Sequence, residues 1–115
     1  MQIFHIATVA DWDAALAVGR YTTSTYGLTI ADEGFIHAST AEQLQATATR
    51  YYAALGEPLV VLVMDEDRLR SGGVPVRHEE IAPGLVFPHL YAELPVDLVD
   101  DVRPAYVDDA GHLVF

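Results

Sequence analysis

The residues of this sequence best suited to chemistry are its histidines. His5 and His37 follow apolar residues in IFHIAT (residues 3–8) and GFIHAST (residues 34–40), and each precedes a threonine by three residues. We interpret both segments as a strand, a histidine and then a helix cap. The free N–H groups and the dipole of a helix N-terminus favour an anion or an electron-rich ligand, and they lower the pKa of a nearby histidine. Both segments therefore predict a neutral imidazole that can donate or accept a hydrogen bond.

A third histidine has a comparable setting. His89 and Tyr91 lie two residues apart in FPHLY, so on a strand their side chains share a face, where one can form a hydrogen bond and the other can stack. Together these positions favour a common pocket lined by His5, His37 and His89. The alternative is that each is an isolated histidine whose ring nitrogens are satisfied by protein partners.

The same three imidazoles raise the question of a metal site. Three histidines can hold zinc, so a three-histidine metal-dependent enzyme is one alternative. Two of the histidines, however, precede predicted helix caps, where the local field repels a cation, and the chain has no cysteine. We therefore expect no metal.

Two other polar positions lie near these histidines. Ser39, two residues after His37, suggests a nucleophile and its base, but this spacing seldom gives triad geometry, so helix capping is the better interpretation. Glu79 and Glu80 lie on a predicted strand and face opposite ways, so only one of them can enter a pocket.

Helices are predicted in the first half of the chain. A helix over residues 9–18 follows Thr8 as its N-cap, and its apolar face contains Trp12, Ala15 and Leu16. Residues 20–33 lack a sustained period, which indicates a long loop and a candidate lid. A second helix is predicted to open at Ser39 or Thr40 and to end before Gly56, with a buried stripe of Leu44, Ala48, Tyr51 and Tyr52.

Strands dominate the second half. The apolar run PLVVLVMD predicts a central strand buried on both faces. An acidic turn and a Gly72–Gly73 loop lead to a strand from roughly residue 74 to 80. Pro88 interrupts the next strand, LVFPHLYAEL, which we therefore expect at a sheet edge or with a bulge. DLVDDVRPAYV and LVF complete the strands, and the pattern predicts an α+β fold with two main helices in a single domain over residues 1–115.

Composition narrows the function. The chain has 115 residues, and its 17 acidic residues against six arginines give a net charge of −11. A nucleic-acid-binding surface needs a basic stripe, so no nucleic acid is expected. The longest apolar run is too short to span a bilayer and the chain has no cysteine, so we expect a cytoplasmic protein without membrane contact.

Four short motifs occur in order along nearly the full chain: IFHIAT, EGFIHAST, VRHE and FPHLY. In these motifs the chain resembles the domain of unknown function 952 family. That family is in turn similar to the ADP-ribosyltransferase-like superfamily, in which a split, mostly antiparallel sheet grips NAD. The resemblance implies that His5 holds the adenosine-side ribose with support from Thr8. It also implies that His37 faces the nicotinamide and that Glu79 holds the nicotinamide ribose. Ser39, His89 and Tyr91 complete the expected ligand site.

The chemistry that the resemblance implies is displacement of nicotinamide from C1 of its ribose, through an oxocarbenium-like transition state. NAD or a related nucleotide is then the cofactor, and ADP-ribose is transferred or removed. A positioned carboxylate and exclusion of water would support this step. The alternative to an enzyme is a non-catalytic module that binds a small metabolite or a partner through the same pocket.

Overall fold

Short strands and short helices alternate along the chain. The computed structural model describes residues 1–115. In chain order its elements are β1 (Gln2–Thr8), α1 (Val9–Val18), β2 (Arg20–Tyr21), β3 (Thr23–Thr25), β4 (Leu28–Thr29), α2 (Ile30–Glu33), β5 (Ile36–His37), α3 (Leu44–Tyr51), β6 (Leu59–Asp65), α4 (Glu66–Ser71), β7 (Val76–Ala82), β8 (Leu85–Leu90), β9 (Leu94–Pro95), a 3₁₀ turn (Val96–Leu98), β10 (Asp101–Val107) and β11 (Leu113–Val114).

Two antiparallel sheets carry most of the structure. The larger has the strand order β1-β6-β10-β11 and the smaller has the order β5-β8-β7, with two-stranded pairs β2-β9 and β3-β4 beside them. Every pair of neighbouring strands is antiparallel. The two main sheets meet at a single bridge, where Phe4 and Ser39 exchange two backbone hydrogen bonds of 2.8 Å. The predicted α+β class with mostly antiparallel sheets is confirmed. The two main helices that the sequence predicted are α1 and α3, and two shorter helices that it did not predict, α2 and α4, bring the number to four.

The central strand β6 separates two hydrophobic clusters. Its alternate residues Val60, Leu62 and Met64 join a cluster of 15 buried residues that includes Trp12 and Ala15 of α1. The intervening residues Leu59, Val61 and Val63 join a cluster of 10 that includes Leu44 and Ala48 of α3. Because both faces of β6 are covered, its apolar residues are continuous, as the sequence predicted.

Helix α1 has the predicted bounds and the predicted N-cap. The Thr8 side chain accepts a hydrogen bond from the Asp11 backbone N–H at 3.1 Å, and Gly19 ends the helix with a left-handed φ of 85°. The apolar face was predicted less well. Trp12 and Ala15 are buried, whereas Leu16 is 53% exposed and contributes little to the core.

Residues 20–33 are not the long loop that the sequence suggested. They contain β2, the hairpin β3-β4 and the one-turn helix α2. Strands of two or three residues are too short to show a period, and β2 pairs with β9, more than 70 residues further along the chain. The missed strands therefore depend on a long-range contact.

Helix α3 begins later than predicted. It spans Leu44–Tyr51, and Ser39 and Thr40 do not cap it, because a turn at residues 41–43 lies between. The Gln43 side chain accepts a hydrogen bond from the Thr40 backbone N–H at 3.0 Å, which is one of the two contacts of a capping box, and here it stabilises this turn. In the predicted stripe, Tyr51 is exposed, and the buried residues are Leu44, Ala48 and Tyr52.

The second half differs from its prediction in two places. The acidic turn after β6 is helix α4, capped by the Asp65 side chain, which accepts from the Asp67 and Arg68 backbone N–H groups. The strand with Pro88 was expected at an edge, but β8 is the middle strand of its sheet. The Pro88 carbonyl accepts from Ala38 N beyond the end of β5, so the side of Pro88 that lacks an N–H faces that short strand and no bond to β7 is lost. A bulge does occur, in β7 between Glu80 and Ala82.

Candidate functional site

A cavity of about 420 Å³ lies where β1 meets the smaller sheet. Its wall contains residues of β1, β3, β5, α3 and the β7-β8 hairpin, and His5, His37 and His89 are all part of it. The volume is in the range of roughly 300–1,000 Å³ that is usual for small-molecule pockets. Exposed apolar side chains belong to the same wall, so the cavity opens to solvent on one side: Leu28, Tyr51, Ile81 and Leu85.

His5 lies in the middle of β1 and has both ring nitrogens occupied. A carbonyl oxygen can only accept, so Nδ1 donates to the backbone oxygen of His37, and Nε2 accepts from the Tyr21 hydroxyl at 2.8 Å. Burial lowers the pKa of His5 from 6.5 to about 4, so the ring is neutral at pH 7. The prediction of a neutral imidazole holds, but its main cause is burial rather than a helix N-terminus. With no free nitrogen, His5 positions its neighbours.

His37 ends β5 and stands beside a carboxylate that the sequence analysis did not select. Its Nε2 is 3.4 Å from Oε1 of Glu33, at the end of α2. Burial lowers the pKa of His37, the nearby His89 adds to this effect, and Glu33 opposes it. Since α3 begins seven residues later, His37 is not at a helix N-terminus as predicted. The result is a partly exposed imidazole paired with a carboxylate on the cavity wall.

Phe35 packs against both His37 and His89. Its ring is stacked on His89 with centroids 4.0 Å apart and an interplanar angle of 19°. It meets His37 edge-on at 4.8 Å, and the centroids of His37 and His89 are 5.3 Å apart. The sequence contained a signal for this contact, because Phe35 and His37 are two residues apart and so face the same way.

His89 is held by a carboxylate from the next strand. Its Nδ1 is 2.8 Å from Oε1 of Glu79, and the Tyr91 hydroxyl donates to the same oxygen. The hydrogen bond from Tyr91, and then the one from His89, lowers the pKa of Glu79, so this carboxylate is ionised at pH 7. The same contact raises the pKa of Tyr91. The Arg77 guanidinium carbon lies 4.6 Å from the centre of the Tyr91 ring and adds a cation–π contact.

Two buried polar atoms on this wall have no hydrogen-bond partner. They are Oγ of Ser24 and Nε2 of His89, and no other buried side-chain nitrogen or oxygen of residues 1–115 is unpaired. Both residues line the cavity. Since buried polar groups are almost always satisfied, these two atoms mark places on the cavity wall where a ligand or an ordered water can supply a partner.

The predicted site residues divide into two groups. The structure brings His5, His37, Ser39 and His89 to the cavity wall. Thr8, Glu79 and Tyr91 are not on it: Thr8 caps α1, and the other two contact each other behind His89. Ser39 is buried and its hydroxyl lies 3.1 Å from that of Thr47. The wall also contains residues that the sequence analysis did not select, among them Ser24, Glu33 and Arg50.

The three-histidine metal alternative has no ligand set. No group of three or more histidine, aspartate and glutamate side chains is arranged to hold a metal ion. Both His5 nitrogens already bind protein atoms, which leaves two of the three imidazoles.

The longest helix has ten residues, and none has the length and apolar sequence needed to cross a membrane.

The fold and the site define an α+β protein in which two antiparallel sheets enclose a histidine-lined cavity. The sequence matches the family described as "Protein of unknown function (DUF952)" over residues 6–102, and the chain belongs to this family. It is similar to protein CC0527 from Caulobacter crescentus. The crystal structure of CC0527 has 33% identity and a TM-score of 0.84, and the alignment covers 99% of this chain and 94% of that one. Its solution NMR structure has 33% identity, a TM-score of 0.77 and coverage of 96% and 90%. No curated protein matches the chain.

Proposed function

We propose that the cavity binds NAD or a related nucleotide and that the protein transfers or removes ADP-ribose, on an ADP-ribosyltransferase-like fold. One observation carries the proposal: two imidazoles, each paired with a carboxylate, stand with ring centroids 5.3 Å apart beside one cavity. The joining of two antiparallel sheets at one bridge, between Phe4 and Ser39, agrees with the split sheet of that superfamily.

Glu33 is the carboxylate best placed to act on the ligand. It is on the cavity wall, whereas Glu79 is not. Displacement of nicotinamide develops positive charge on the ribose ring, and a fixed carboxylate beside that charge stabilises the transition state. In this proposal Glu33 has the electrostatic role that the sequence resemblance gave to Glu79, and His37 orients it.

Arg50 supplies the contact to phosphate. It is the only arginine on the cavity wall and has no ion-pair partner. Its guanidinium group can bind a phosphate through two parallel hydrogen bonds. One arginine is sufficient to hold one phosphate of a dinucleotide on an otherwise acidic protein.

The proposal is tested by isothermal titration with NAD and with ADP-ribose, followed by an assay for nicotinamide release. Arg50→Gln is expected to weaken binding about 10- to 100-fold, because a hydrogen bond to a charged group contributes about 1.5–3 kcal/mol. Arg20→Gln is the matched control, since Arg20 is exposed, outside the cavity and equally unpaired. Glu33→Gln is expected to slow nicotinamide release while leaving NAD affinity within about threefold.

A non-catalytic binding module is the second candidate. The observation that favours it is that Glu33 already pairs with His37 and no second carboxylate lines the cavity. NAD or ADP-ribose binding without nicotinamide release would support the module. Absence of binding by both nucleotides would exclude the enzyme and also a module that binds a nucleotide.

A further inference from the structure

We propose that His89 is a catalytic base of this site and that the group it activates is a hydroxyl, from water or an alcohol. This inference rests on the proposed function. Its structural basis is the pair of His89 and Glu79, together with the unpartnered Nε2 of His89.

The hydrogen bonding of His89 selects one tautomer. Glu79 is ionised and can only accept, so Nδ1 carries the proton that forms this bond. In the neutral ring Nε2 then carries a lone pair, on the edge of the ring turned away from Glu79. The His89 side chain is 4% exposed and belongs to the cavity wall, and its Nε2 is buried without a hydrogen-bond donor.

The surroundings of His89 also hold the ring in one orientation. The face of Phe35 is stacked on it, and Glu79 is itself fixed by the Tyr91 hydroxyl. A carboxylate that holds an imidazole in the correct tautomer also stabilises the imidazolium formed when the ring takes a proton. Glu79 is therefore a positioning residue, since it acts on the reaction through His89.

The partner of an imidazole lone pair must be a donor that can lose its proton. In the proposed step, the acceptor O–H gives its proton to Nε2 and its oxygen forms a bond to C1 of the nicotinamide-side ribose. The C1–N bond breaks, its electron pair stays on the ring nitrogen, and nicotinamide leaves as a neutral molecule. Water that enters after the product leaves removes the proton from the imidazolium. NAD and the alcohol thus give the O-glycoside of ADP-ribose, nicotinamide and one proton.

The experiment measures nicotinamide release from NAD by the whole protein, in water and with added methanol, and separates the products. The wild-type protein is expected to form ADP-ribose in water and, with methanol, also the methyl glycoside of ADP-ribose. His89→Gln is expected to lower the kcat for both products about 10²–10⁴-fold, the usual contribution of a positioned base, with the Kd for NAD within about threefold. Glu79→Gln should lower kcat less and leave KM unchanged. His112→Gln, at an exposed position outside the cavity, is the control.

Chemical rescue distinguishes a base from a structural residue. Imidazole added to His89→Ala is expected to restore part of kcat, whereas a packing defect would not respond. If His89→Ala does not fold, Glu79→Gln and His89→Gln still decide the question. Unchanged kcat in His89→Gln, or equal losses of kcat and NAD affinity, overturns the inference and leaves the proposed function intact. Absence of nicotinamide release from the wild-type protein overturns both.

Discussion

At the scale of single residues, His5 connects three strands through its ring. Its Nδ1 donates to the His37 carbonyl of β5 and its Nε2 accepts from Tyr21 of β2, while its own backbone belongs to β1. Both bonds require a neutral ring with the proton on Nδ1. The residue that sequence resemblance assigns to ribose binding is therefore part of the cavity's support.

The pKa of His5 predicts a pH dependence of stability. The unfolded chain takes up a proton at His5 near pH 6.5, but the folded protein does so only near pH 4. This group therefore leaves stability unchanged above pH 6.5 and lowers it as pH falls from 6.5 to 4. Between pH 7.5 and pH 5 the loss from His5 alone is about 2 kcal/mol.

Urea unfolding of the wild-type protein and of His5→Gln, each at pH 7.5 and at pH 5, measures this contribution of His5 to the free energy of unfolding. The variant is expected to be less stable at pH 7.5 but to lose about 2 kcal/mol less on acidification. His112→Gln, which removes an exposed histidine, is the control. Identical slopes for wild-type and His5→Gln would contradict the burial of a neutral ring.

At the scale of elements, Thr8 joins β1 to α1 and its hydroxyl caps the helix. Thr8→Ala is expected to lower the free energy of unfolding by about 1 kcal/mol, because the Asp11 N–H loses its acceptor. Thr8→Ser keeps the hydroxyl and should recover most of that loss. Urea unfolding measures both variants, and equal costs would show that the methyl group rather than the cap is responsible.

Elements that form through local contacts were predictable from the sequence, and those that need distant partners were not. The β1–α1 junction depends on Thr8 and on residues within one helical turn of it, so its pattern is readable. β2 exists because it pairs with β9, and no residue near Arg20 indicates that partner. β8 lies centrally although it contains Pro88, because the neighbouring strand β5 ends before that proline.

The candidate site shows the same division. The side chains of His89 and Tyr91 share a face, as their spacing predicts, and the Tyr91 hydroxyl and the His89 ring both contact Glu79. Spacing along a strand does not show which of several polar side chains reaches a cavity formed between two sheets. Glu33 lines the cavity but was not predicted, because it belongs to helix α2, in a segment whose sequence suggested a loop.

At the scale of the whole molecule, the layered core predicts a contrast between two leucines. Leu62 of β6 is fully buried, whereas Leu16 of α1 is 53% exposed. Leu62→Ala is expected to lower the free energy of unfolding by about 2–5 kcal/mol, because it leaves a cavity between packed side chains. Leu16→Ala should change it by less than about 1 kcal/mol. Urea unfolding compares the two, and similar losses would contradict the assignment of α1's buried face.

The single bridge between Phe4 and Ser39 has a mechanical consequence for the cavity. Only two backbone hydrogen bonds join the two sheets at this point, so the sheets are connected at one residue pair and not along a continuous ladder. Rotation of one sheet about this point would change the width of the cavity without breaking the ladder of either sheet. A ligand that contacts both sheets would be a second connection between them, and it would couple their motions where backbone hydrogen bonds join the two sheets at one residue pair.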